Sequence, residues 1–159
     1  MPVGWVVLFG MVVAVSDLRN RTIPNALILL ALCGTILVRQ VGYGPEGLVS
    51  GLLGAVAALL LTLPMYWLKG MAAGDVKAMT VVGAMVGFAL APFVIGVTLV
   101  LGGGFAAAWA GWTRSKRVDR EDVRRMKVPY GVAIALGTFA FGAWQVTQMG
   151  VEALWIGRL

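Results

Sequence analysis

The stretch VAVSDLRNRTIPNALI, residues 13–28, decides how the chain is read. An apolar run stops at an acid, Asp17, and the next begins at a proline, Pro24. A carboxylate at the end of an apolar helix is costly unless something uses it. Asn20 favours a turn, and Pro24 suits the first turn of a following helix because it has no N–H to leave unpaired. The stretch therefore reads as two apolar helices joined by a polar turn that holds Asp17 at the edge of the apolar layer.

The same texture continues along the chain. Of 159 residues, 60% are hydrophobic and only 13% charged, with a mean hydropathy of +0.89. A soluble domain of this size could not cover its surface with so few polar groups, so an all-α polytopic membrane protein is expected. The uniform composition points to a single domain over 1–159. Six apolar runs, at 2–16, 24–38, 48–68, 76–90, 92–112 and 128–148, predict six transmembrane helices. The first, second and fourth are short for a bilayer that needs about 20 residues per span. Short spans imply local thinning, or helices that run on past the oily layer. Gly102-Gly103-Gly104 and the scattered alanines permit close helix approach. The one cysteine, Cys33, lies in an apolar run and reads as a small core residue; without a second cysteine or any histidine, an internal disulfide and the usual structural zinc sites are excluded. Residues 1–15 carry no basic leader region and no small-residue cleavage pattern, so they read as a retained helix.

Orientation follows from the basic residues. Eleven of the thirteen lie after the first, third and fifth runs: Arg19 and Arg21, Lys69 and Lys77, then seven between Arg114 and Lys127. Arg39 and Arg158 fall on the opposite side. This bias places the odd loops in the cytoplasm and both termini outside. The segment TRSKRVDREDVRRMK, residues 113–127, is the one strongly polar stretch. It reads either as a docking site for a partner or substrate, or as a topogenic loop that also touches anionic lipid. Nothing in the pattern points to nucleic acid.

Seven acids are present, and five have simple explanations. Glu46 and Glu152 fall in outer loops, and Asp119, Glu121 and Asp122 sit among bases. Asp17 closes the first run and Asp75 opens the fourth, so the topology puts both at the cytoplasmic edge. Each is followed by an aliphatic residue and then a base, Arg19 or Lys77. Two carboxylates brought together resist double ionisation and tend to share one proton. One can then activate a water while its protonated partner polarises a carbonyl, which is peptide hydrolysis without a metal or other cofactor. The structural alternative is that Asp75 meets the free amides of a helix start and Asp17 pairs with Arg19 or Arg21. Before Asp75, the segment LKGMAAGDVKAM (68–79) supplies Gly70, Ala72, Ala73 and Gly74, small enough for an extended peptide to lie beside the acid, or simply a loop before a helix.

At these positions the sequence resembles the type IV prepilin peptidase family of intramembrane aspartyl proteases. The resemblance rests on Asp17-Leu18-Arg19 with Ile23-Pro24-Asn25, on Gly74-Asp75-Val76-Lys77, and on Val128-Pro129-Tyr130-Gly131. It implies an enzyme of the bacterial inner membrane that removes the short basic leader of prepilin-like proteins at the cytoplasmic face. It implies Asp17 and Asp75 as the catalytic aspartates and Lys77 in an orienting or electrostatic role. Gly74, Arg19, Pro24 and Asn25 would complete the motifs, and Pro129, Tyr130 and Gly131 would line or buttress the site. The family's G-x-G-D pattern has Ala72 in place of its first glycine. Longer members carry a cysteine-paired cytoplasmic segment associated with N-methylation; here only seven residues separate the first two runs, as in the short, peptidase-only members that serve tight-adherence pili.

Two other readings use the same residues. A small transporter or channel subunit would use the acids as proton or cation ligands, although such sites tend to lie at mid-depth. An assembly protein would use the basic loop for docking and tolerate amides at both acids. Met65, Met71, Met79, Met85, Trp67, Trp109 and Trp112 either line a substrate groove or serve as packing and interfacial residues.

Overall fold

A computed structural model of the chain describes residues 3–20, 22–115 and 130–156. Those residues form five helices and no strand. The first, α1 (Val3–Asn20), runs four residues beyond the apolar run, so Asp17 lies inside its last turn. The turn after it is tied locally: Ser16 Oγ donates to the Thr22 carbonyl at 3.1 Å, and Thr22 Oγ1 to that of Asn20 at 3.3 Å.

Helix α2 spans Asn25–Trp67. Pro24 stands one position outside it, as the N-cap in extended backbone (φ −62°, ψ 135°), and its carbonyl accepts the amides of Leu27 and Ile28. Straight, 43 residues would reach about 65 Å. Instead the helix breaks at Gly44 (φ 61°, ψ −154°), a conformation open to glycine and little else, and Pro45 restarts it. The two segments fold back on one another, because Arg39 Nη1 donates to the Gly47 carbonyl at 2.9 Å and Arg39 Cδ lies beside Gly51. The second and third apolar runs are thus one helical hairpin. At its far end Lys69 adopts φ 58°, with Gly70 N–H bonded to the Met65 carbonyl (2.9 Å) and Lys69 N–H to that of Tyr66 (3.0 Å). These are the paired bonds of a Schellman termination, here with lysine in the left-handed position.

Helix α3 (Ala73–Val86) has 14 residues, ten of them buried, and forms the centre of the bundle. It packs closely on the second segment of α2: a side chain on Gly54 would strike the Gly83 carbonyl, and one on Gly83 would strike that of Gly54. Helices α4 (Ala91–Ser115) and α5 (Tyr130–Ile156) complete the bundle, α5 lying between α1 and α4. Adjacent residues of α5 serve both neighbours, Gly137 receiving Thr98 of α4 and Thr138 fitting against Gly10 of α1. Val6, Phe9 and Val13 of α1, Ala31 and Ala58 of the two hairpin segments, Met79 and Val82 of α3, Ile95 of α4 and Ile134 and Phe141 of α5 join all five helices into one core.

Large apolar side chains elsewhere face outward, including Leu30 (71% exposed), Val41 (87%) and Val100 (74%). α1 and α2 are long and apolar enough to cross a membrane. One expectation is corrected. Cys33 is exposed on the outside of α2, not packed in the core. Arg39 is 5% exposed: its Nε donates to the Ala84 carbonyl in the last turn of α3 at 2.7 Å, where a cation favourably meets the negative helix end. Among the described residues its Nη2 has no hydrogen-bond partner and is buried against Gly87.

Candidate active site

Residues of the three sequence motifs, Asp17, Asp75 and Gly131 among them, meet at one end of this bundle. Asp17 is 9% exposed in the last turn of α1, and Asp75 is 6% exposed in the first turn of α3. They are the two buried acids among the described side chains.

Asp17 is held from the other end of the sequence. Its Oδ2 accepts the Gly131 amide at 2.8 Å, in a buried contact. Gly131 lies in the first turn of α5, whose free amides point toward negative charge. A side chain at 131 would sit 2.6 Å from Asp17 Cβ, so glycine is what lets the helix approach. Among the described residues the partner of Asp17 is therefore this amide and not Arg19, which is exposed. Pro129 and Arg21 lie outside the described residues, as do 116–127 of the basic segment; Tyr130 opens α5.

Asp75 occupies the third position of α3, and its Oδ2 accepts the Ala72 amide at 3.2 Å. The helix-start role expected of an acid here is thus realised, using a carboxylate that reaches back to the N-cap amide. Gly74 lies against the Ile23 side chain, where a Cβ would stand 3.6 Å from Ile23 Cβ. Lys77 Nζ donates to Asn25 Oδ1 at 3.0 Å, on the exposed rim. Ala72 and Ala73 are exposed beside Asp75, as an accessible approach requires. Pro24 is exposed between Ile23 and Asn25.

A second apolar cluster binds the two halves together. Val76, next to Asp75, packs with Met71 and with Ala133, two residues beyond the amide that grips Asp17. Each carboxylate thus has one oxygen fixed by a backbone amide at the start of a long-range-anchored helix. Two positive helix ends converge there, a setting that favours carboxylates or a developing oxyanion. No group of three metal-ligating side chains occurs among the described residues.

The sequence marked Asp17, Asp75, Gly74, Lys77, Asn25 and Gly131, and the fold brings these to one end. It gave no sign of the Ala72 amide or of Ser16 and Thr22 as the tie across the turn. The methionines are resolved as packing residues: Met71, Met79 and Met85 are buried, while Trp67 is exposed at the end of α2. Trp109 and Trp112 lie outside the described side chains.

Comparison with curated proteins and with solved structures gave no match. Among protein families, the type IV leader peptidase family matches residues 5–107, a span that contains Asp17, the turn, and Asp75 with Lys77. Gly131 lies beyond it. A match over most of the chain, with both acid-bearing segments inside it, makes this protein a member of the type IV leader peptidase family, and hence a protease.

Proposed function

We propose that the protein is an aspartic-type endopeptidase in which Asp17 and Asp75 together activate water. The observation that carries this reading is the convergence of the two buried acids at one end of the bundle, each with an oxygen committed to a backbone amide. One carboxylate takes a proton from water as the other, protonated, hydrogen-bonds the scissile carbonyl. Backbone amides at the starts of α3 and α5 supply positive potential for the tetrahedral oxyanion, with the Lys77 ammonium on the rim.

The substrate on this reading is a prepilin of the tight-adherence type, its apolar helix lying against the bundle and its basic leader extended at the cytoplasmic face. The scissile segment must unwind, because helical amides are hydrogen-bonded and shielded. The chain acts as one domain in the bacterial inner membrane with six spans: α1, the two segments of α2, α3, α4 and α5. Both termini lie outside, and the basic segment 113–127 rests on anionic lipid. α3 supports a recessed site, since 14 residues rise about 21 Å against an oily layer of about 30 Å.

The test is co-expression with a prepilin and detection of leader loss by gel shift. Wild type shortens the pilin, and Asp17→Asn and Asp75→Asn at matched membrane levels do not. Normal cleavage by either amide variant overturns the paired-acid reading.

A further inference from the structure

We infer that the turn 22–25 is a two-point clamp that sets the position of Asp75 relative to Asp17, with Asn25 and Lys77 as positioning residues. The inference rests on the reading of the two acids as a working pair. On one side the turn is tied to α1 at Ser16, the residue before Asp17, through Ser16 Oγ and the Thr22 carbonyl. On the other it touches α3 twice: Ile23 lies against Gly74, and Asn25 Oδ1 accepts from Lys77 Nζ at 3.0 Å. Gly74 and Lys77 are three residues apart and share one helix face, so the two contacts bracket Asp75. Pro24 stands between the two contact residues and fixes its own φ, which stiffens their spacing.

Lys77 is not explained by helix stability. It is the fifth residue of α3, exposed and far from the helix C-terminus, so its charge gains nothing from the helix dipole. An exposed pair of this kind changes a folding equilibrium by only about five-fold. A small displacement of a reacting group costs far more in rate, up to about a hundred-fold for 1 Å. A rim contact that matters here therefore matters through geometry.

The experiment uses the full chain, purified in detergent with a prepilin substrate, and the variants Asn25→Ala, Lys77→Met and their combination. Each single variant lowers kcat about ten-fold with KM unchanged, the combination loses no more than either alone, and Lys77→Arg keeps most of the rate. Losses that multiply in the combination, or a raised KM at constant kcat, overturn the clamp; the latter would mean that Lys77 touches substrate. A second measurement is independent of cleavage. Spin labels on Leu18→Cys and Ala73→Cys, both exposed, in a Cys33→Ser background report the distance between α1 and α3. The distribution is narrow with Lys77 and broad with Lys77→Met; an unchanged distribution overturns the clamp. If Asp17→Asn still cleaves while Lys77→Met broadens the distance, the paired-acid reading fails and the clamp stands as a link between α1 and α3.

Discussion

Asp17 owes its place to a residue 114 positions away. The Gly131 amide holds one oxygen, and the absence of a side chain at 131 makes room for the carboxylate. Gly131→Ala forces the start of α5 away from Asp17, so cleavage falls at least about ten-fold while the protein still inserts and folds. A kcat measurement beside a melting curve in detergent checks this. Arg39 works at the opposite end, where its guanidinium satisfies the carbonyls of Ala84 and Gly47. Arg39→Ala strands both acceptors in a buried place and costs about 3 kcal/mol, seen as a lower Tm, with the chemistry at Asp17 and Asp75 intact once folded. The acids were legible in the sequence because carboxylates are rare in this chain and each closes or opens an apolar run. The grip of Gly131 was only half legible, since its motif stood out but no local signal pairs it with Asp17. The role of Arg39 was not legible at all. A lone base near the end of an apolar run looks the same whether it reaches for water or plugs a chain reversal.

At the scale of elements, two glycine devices shape the bundle. Gly44 reverses the chain within what would otherwise be one 43-residue helix. The Gly-Pro step was visible in the sequence, but the apolar runs ended six residues before it and resumed three after it, because helices continue past the oily layer. Gly54 and Gly83 bring α2 and α3 into backbone contact. Gly83→Val would drive a branched side chain into the Gly54 carbonyl and the Ala58 side chain, and costs at least about 2 kcal/mol by thermal melting. Gly104→Val on α4, with no described atom within 4 Å of an added Cβ, serves as the control and leaves Tm unchanged. The contrast between the two glycines was invisible in the sequence, where both sit in equally apolar surroundings. Only packing distinguishes them.

For the whole molecule, composition was the strongest guide. So many apolar residues with so few charges announced an all-helical chain, and the outward-facing leucines and valines agree with lipid contact. The distribution of bases carries the proposed orientation, which reporter fusions test directly. Fusions after Asn20 and after Lys69 should report the cytoplasm, and a fusion at Gly44 the outside; the reverse pattern contradicts the placement of the site on the cytoplasmic face. What composition could not supply was the order of contacts: α5 between α1 and α4, and α3 enclosed at the centre. That arrangement is what brings motifs from residues 17, 75 and 131 to one end of the fold.

The central claim is that Asp17 and Asp75 act as one chemical unit. The most direct test is the cleavage rate of the purified protein on a prepilin for Asp17→Asn, Asp75→Asn and the double variant. Groups that act together are not additive, so each single change should lose at least about a thousand-fold and the double no more than either. A single amide variant that cleaves at the wild-type rate would contradict the account.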